Sequence, residues 1–209
     1  MIQQTEAPFL DENQNWILRK PGQLASGPDG NGHALHLLKT HGLLKKWKNQ
    51  HIEIITITPI DNILADPIDP ILIGYHTADV TVKVIPRQNT EEKMGIMVYK
   101  KGKIAIQEYS ELATSQQGAF AHTGLFALST SFAEQITQFE FPWHFAHKQD
   151  PLSQKWVWKF ERFILDMLEH SQKTNLLLYS RQATYAPLKE EKNLASVQQA
   201  LHNTFVEKR

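Results

Sequence analysis

An α/β fold is predicted for this 209-residue sequence by three observations. Short β-branched or apolar runs recur along the chain, at residues 52–57, 80–85, 120–128 and 176–179, as strands require. Helical spacings stand between them: Ala34, Leu37, Leu38, Leu44 and Trp47 early, Phe160, Phe163, Ile164, Met167 and Leu168 later, and Leu194, Val197, Leu201 and Phe205 at the end. Residues 95–99 and 104–108 flank Lys100-Lys101-Gly102-Lys103, a hairpin signal with glycine in the connection. Strands and helices therefore mix throughout, with one antiparallel excursion. No internal repeat, low-complexity tract or linker interrupts the pattern, so residues 1–209 read as a single domain.

Composition excludes several function classes. Lysine plus arginine equals aspartate plus glutamate at 22 each, so the basic excess of a nucleic-acid-binding protein is missing. The absence of cysteine excludes a disulfide framework and thiolate chemistry. Met1-Ile2-Gln3-Gln4-Thr5-Glu6 lacks the basic and apolar regions of a signal peptide, and no apolar run approaches the length of a membrane span. A cytoplasmic protein with no nucleic-acid or membrane partner is expected.

The elements follow in chain order. Trp16-Ile17-Leu18 reads as an edge strand closed by a turn at Lys20-Pro21-Gly22. Residues 27–32, Gly27-Pro28-Asp29-Gly30-Asn31-Gly32, lead into the first helical stretch. Pro28 fixes one φ, while the glycines permit positive φ and leave the backbone bare. Two readings stand: a nucleotide-facing turn at a helix N-terminus, or a tight strand-to-helix connection with no ligand. Gly42 is a stop and restart between two short helices. Residues 52–57 are almost continuously apolar, which predicts a central strand covered on both faces. Ile60-Asp61-Asn62 follows its carboxyl end, the place where open α/β sheets put ligand chemistry. Asp69 and Pro70 open a short helix, as cap and first helical residue, ending near Ala78. Ser131 with Glu134 makes a capping box, and residues 160–168 form the clearest amphipathic helix.

Among these elements the chemistry-bearing residues each have two readings. Asp61 offers a hard cation the carboxylate oxygen it needs, or it caps a turn. Glu108, Tyr109 and Glu111 suit sugar hydroxyls, or they form a solvated strand end. Lys159 and Lys189 suit phosphates as point charges, or they are solvated lysines. His144 and His147, and the group His33, His36 and His41, lack the cysteine or glutamate partners that make a zinc spacing persuasive. Trp143, Trp156 and Trp158 read as packing residues.

Taken together, residues 27–32, the Ile60-Asp61-Asn62 turn, residues 91–95, residues 107–112, residues 158–166 around Lys159-Phe160-Glu161, and Tyr185-Ala186-Pro187-Leu188-Lys189 resemble the UDP-sugar pyrophosphorylases. The similarity is greatest to the UDP-N-acetylglucosamine pyrophosphorylase branch, and its order and spacing hold along nearly the whole chain. The resemblance implies a Rossmann-like nucleotide-diphospho-sugar transferase, a mixed sheet flanked by helices. It also implies transfer of UMP from UTP to a sugar 1-phosphate, of N-acetylglucosamine or glucose, with magnesium and release of pyrophosphate. By position, Gly30 would lie against the uracil and Asn31 near the sugar. Asp61 would hold magnesium or the α-phosphate region, Glu108 and Tyr109 the sugar hydroxyls, and Lys159 and Lys189 phosphates. Asp61 and Lys159 would be the catalytic pair, acting by position and charge without a protein nucleophile.

Two departures qualify what the resemblance implies. No glycine-rich loop with an arginine and a following lysine, the family's triphosphate grip, stands before Gly27. The sequence thus matches the second half of the catalytic domain, with the N-terminal nucleotide-binding half and the C-terminal domain absent. An inactive chain by itself is expected, with an exposed sheet edge that seeks a missing half or self-associates. A non-catalytic nucleotide-sugar-binding module or one subunit of a split enzyme is the alternative. Where the family shows Asn-x-Gly-Asn-Ile for the sugar, this sequence has His122-Thr123-Gly124-Leu125-Phe126.

Overall fold

The computed structural model describes residues 2–108 and 118–207. Its fold is a mixed α/β architecture that divides into two compact units, Met1–His51 with Ala133–His170, and Ile52–Phe132 with Ser171–Arg209.

In the first unit, short antiparallel pairs stack around a small apolar cluster. Strand β1 (Glu6–Pro8) pairs with β4 (Ser26–Pro28), and β2 (Leu18–Lys20) with β3 (Gln23–Leu24) across the turn at Gly22. Phe9, Ala25 and Val157 are buried together with Ile17 against them. Helices α1 (Ala34–Thr40) and α2 (Leu43–Asn49) bury Leu35 and Leu44, and Gly42 between them has φ +72°, the left-handed break expected of it.

The 160–168 helix is corrected. Phe160 lies in strand β11 (Trp156–Glu161), which pairs antiparallel with β10 (His144–Gln149), and only Ile164–His170 turns, as a 3-10 helix. Buried Ile164, Leu165, Met167 and Leu168 supply the apolar spacing, whereas Phe160 sits across from Phe145 in the hairpin. The helical period runs unbroken across the two because an aromatic strand exit and an apolar turn abut. Asp150, almost wholly buried, closes this hairpin: it accepts from Ser153 Oγ (2.6 Å), the Ser153 and Leu152 amides and Arg19 Nη1. Those bonds, the Ser153 hydroxyl foremost, hold its carboxyl down at about 2.

The second unit is built on a six-stranded mixed sheet. Its order is β12-β6-β9-β7-β8, with β5 paired to β9 off that path. Strand β6 (Val80–Pro86) runs parallel to β12 (Thr174–Leu178) and antiparallel to β9 (Phe120–Ser129). The predicted hairpin is present as β7 (Ile96–Lys100) and β8 (Lys103–Gln107), turning through Lys101 and Gly102 at positive φ. Strand β5 (Ile54–Ile57) is not central: among the described residues it pairs only with β9 and is mostly half-buried. A continuous apolar run reports what covers a strand's faces and says nothing of its lateral neighbours.

Helix α3 (Pro70–Gly74) starts as predicted, with Asp69 Oδ1 accepting from the Ile71 and Leu72 amides, but stops short of Ala78. Helix α4 (Thr130–Ile136) is capped by Ser129, whose Oγ accepts from the Phe132 amide, two residues before the expected Ser131. Glu134 is ion-paired to Lys48 at 2.6 Å. Helices α5 (Arg181–Thr184) and α6 (Leu194–Glu207) complete the unit. Among the described residues no helix is long and apolar enough to cross a membrane.

Strand β6 carries Lys83, one half of a buried ion pair that the strand pattern conceals. Lys83 is 2% exposed, and its Nζ donates to Asp69 Oδ2 at 2.5 Å while lying 4.0 Å from the Tyr179 ring centre. Burial, with the Asp69 charge behind it, drives the Tyr179 phenol upward. Beside this pair the β6–β9 register shifts at 82–84. The Thr123 hydroxyl donates to the Lys83 carbonyl, and Gly124 takes φ +78°.

Candidate functional site

The predicted residues divide between the two units. Gly30, Asn31 and Lys159 belong to the first; Asp61, Glu108 and Lys189 belong to the second. Tyr109 lies outside the described residues, as does Glu111.

In the first unit the glycine loop is fastened to the exit of β11. The Arg162 amide donates to the Asp29 carbonyl and the Gly32 amide to the Arg162 carbonyl, both at 2.8 Å. Gly30 takes φ +83°, and a Cβ there would sit 2.2 Å from the Arg162 carbonyl oxygen. Its bareness is therefore required by the chain itself. Asn31 is exposed, and its Oδ1 accepts from the Ile164 amide at 2.9 Å, which leaves the Nδ2 hydrogens as its outward donors. Lys159 is half-buried on β11, with its ammonium 4.8 Å from the Phe9 ring centre. Among the described residues no carboxylate is paired with it.

A second hydrogen-bonded set under the loop escaped sequence reasoning. Asp29, 3% exposed, accepts from Thr5 Oγ1 at 2.6 Å and faces His33 Nδ1 at 3.1 Å. Arg162 Nη1 lies 2.6 Å from His33 Nε2, and its guanidinium stacks 4.1 Å from the Trp143 ring centre. Trp143 and Trp156 are substantially exposed, so the packing role expected of them is only partial. His144 pairs with Asp166 at 2.9 Å and His147 with Glu12 at 2.6 Å. Burial raises the Asp166 carboxyl in spite of that histidine.

In the second unit the turn at Asp61 meets the segment at Lys189. Asn62, 4% exposed, donates from Nδ2 to the Thr184 carbonyl and accepts the Ala186 amide at Oδ1. The Leu188 amide donates to the Asp61 carbonyl at 2.8 Å. These bonds bring Lys189 Nζ to 3.8 Å from Asp61 Oδ2, with both side chains open to solvent. Two residues chosen from separate motifs are thus neighbours.

Glu108 converges with a different pair. Its Oε1 lies 3.8 Å from His122 Nε2, and a Cβ on Gly95 would come within 2.9 Å of each. His122 Nδ1 accepts the Gly124 amide, so the bulge of β9 aims the ring. His122, where the sequence departs from the motif that the resemblance implies, therefore stands beside Glu108, the residue read as a sugar contact.

A cavity of about 760 Å3 opens next to Lys189, lined among others by Lys93, Arg181, Tyr185, Asn193 and Gln199. Arg181 is held there by Glu92 at 2.7 Å. Among the described residues no three His, Cys, Asp or Glu side chains group to hold a metal. A magnesium ion bound through one carboxylate, waters and substrate phosphates needs no such group, and the solvent-open Asp61 carboxylate fits that mode.

The second unit thus carries a carboxylate–lysine pair past a strand end of its mixed sheet, and the first a glycine loop fastened to a strand exit. The chain belongs to the family described as UTP–glucose-1-phosphate uridylyltransferase, which matches residues 1–205. It is 28% identical over 209 residues to UDP-N-acetylglucosamine diphosphorylase 2 of Arabidopsis thaliana, covering 90% of this chain and 42% of that protein. A solved chain from Entamoeba histolytica superposes with a TM-score of 0.85 at 25% identity, over 97% of this chain and 57% of that one. The uridine diphosphate N-acetylglucosamine pyrophosphorylase of Trypanosoma brucei, crystallised with an inhibitor, gives 0.79 at 26% identity, over 95% and 46%. The chain spans less than half the length of the curated relatives it matches.

Proposed function

We propose that this chain forms the sugar- and phosphate-binding part of a UDP-sugar pyrophosphorylase, which transfers UMP from UTP to N-acetylglucosamine 1-phosphate or glucose 1-phosphate. The observation that carries the reading is the Asp61–Lys189 pair, held at 3.8 Å by the Asn62 bonds to residues 184–186. Asp61 would hold magnesium, and the ion would supply charge neutralisation for the phosphates when bound. Lys189 and Lys159 contact phosphate as point charges. Glu108 and Tyr109 accept from sugar hydroxyls, with Asn31 near the sugar and Gly30 against the uracil. In-line attack by the sugar phosphate needs no protein nucleophile, so position and charge do the work.

The glycine-rich loop with an arginine and a following lysine that the resemblance implies as a triphosphate grip does not stand before Gly27. Losing one preorganised donor costs about 3–4 kcal/mol of transition-state stabilisation, so turnover requires a further polypeptide segment, on this chain or another. A nucleotide-sugar-binding module is what remains without it. The test is binding of UDP-N-acetylglucosamine by the purified chain with magnesium, measured for Lys189→Ala and Lys189→Arg. Alanine is expected to weaken binding about tenfold or more, as loss of a charge-assisted bond does, and arginine to restore part of it. Equal affinity in all three proteins would remove the phosphate role of Lys189.

A further inference from the structure

The atoms around His33 determine its protonation pattern. Arg162 can only donate, so His33 Nε2, 2.6 Å from Nη1, accepts. The ring hydrogen is then on Nδ1, where it donates to Asp29 Oδ2 at 3.1 Å. The neutral Nδ1–H tautomer thus completes a chain from Arg162 through His33 to Asp29. The same two residues hold the loop backbone, because the Arg162 amide and carbonyl bond Asp29 and Gly32 on either side of Gly30.

We propose that His33 and Arg162 are positioning residues for the glycine loop: with Asp29 they fix the shape in which Asn31 is presented, and they do so only while the His33 ring is neutral. That Asn31 meets a UDP-sugar rests on the function proposed above. The lock itself rests on the bonds just given. Protonation turns Nε2 into a donor facing a donor and sets two positive groups 2.6 Å apart. The charged and titratable groups around the ring are Asp29 from the loop, Arg162 from the exit of β11, and His36 one turn along α1, its ring centre 5.8 Å away. Glu140 touches Arg162 at 3.4 Å from an exposed position. Burial and the neighbouring His33 push the His36 ring downward.

The experiment follows the backbone amides of Gly30, Asn31 and Gly32 by two-dimensional NMR from about pH 8 to about pH 5.5, together with the His33 ring, across the range in which imidazoles titrate. In the wild-type chain the three amides are expected to move in step with His33. In His33→Gln, whose amide oxygen can accept from Arg162 and cannot be protonated in this range, they are expected to stay still. Wild-type amides that ignore the His33 titration overturn the proposal, a reading that needs no variant to fold. Persistent movement in His33→Gln overturns it too. UDP-N-acetylglucosamine binding, measured in parallel, is expected to weaken about tenfold toward low pH in the wild type and not in His33→Gln. A wild-type chain that binds no UDP-sugar at either pH refutes the proposed function, while the amide titration still decides the lock.

Discussion

Replacing Lys83 by alanine is expected to destabilise the second unit by about 3–5 kcal/mol, because it leaves the Asp69 carboxylate buried without its partner. Lys83 is 2% exposed and Asp69 6%, so water cannot take over. Burial would raise the Asp69 carboxyl, yet the bonds from Lys83 and the Ile71 and Leu72 amides hold it below the usual carboxylate value. Without Lys83 the foremost of those bonds is gone and burial pushes the carboxyl upward, so Asp69 is left unfavourably buried whether it stays charged or takes up a proton. The double variant Asp69→Asn, Lys83→Met removes both charges while asparagine keeps the cap of α3. Most of the lost stability is expected to return. Denaturant unfolding of the single and double variants measures the difference, and equal losses in both would show that packing, not the stranded charge, sets the cost. The same strand position meets the bulge that aims His122, because the backbone carbonyl of Lys83 receives the Thr123 hydroxyl.

Gly30→Ala and Gly42→Ala separate two meanings of a positive φ. Both residues are left-handed, at +83° and +72°, which costs an alanine about 1–2 kcal/mol. At Gly42 nothing lies within 4 Å of a new Cβ, so the conformational term is all that is lost. At Gly30 the Cβ would stand 2.2 Å from the Arg162 carbonyl oxygen and 2.7 Å from its nitrogen, and backbone cannot give way as a side-chain tip can. Gly30→Ala is expected to be clearly the more destabilising and to release the Arg162 bonds to Asp29 and Gly32. Matching unfolding midpoints for the two variants would contradict the tight fit.

Much of the fold could be read from residue pattern, and the misses share a cause. The break at Gly42, the 101–102 hairpin turn and the Asp69-Pro70 helix start were legible because each depends on a local conformational preference. The edge position of β5 was not, because its pairing is a matter of backbone partners far along the chain. The aromatic strand β11 was absorbed into a helix period by Phe160 and Phe163. Lys83 gave a polar beat in a strand and no hint that Asp69 waited on the far side. At the candidate site, Asp61 and Lys189 were named from separate motifs and stand 3.8 Å apart. Asn62 joins their segments through bonds to residues 184 and 186 that no local pattern marks. The spacing of His33, His36 and His41 points to no partner for His33, since a histidine four residues beyond Asp29 meets Arg162 from a strand's exit only after folding.

The central claim is that this stretch of chain holds a uridine diphosphate sugar, and calorimetric titration tests it most directly. The purified chain is titrated with UDP-N-acetylglucosamine and with UDP-glucose, each with magnesium, beside an Asp61→Ala control. Saturable binding of at least one ligand, weakened in the control and on removal of magnesium, is the expected result. Heats that show no binding of either ligand, or binding that Asp61→Ala leaves unchanged, would contradict it.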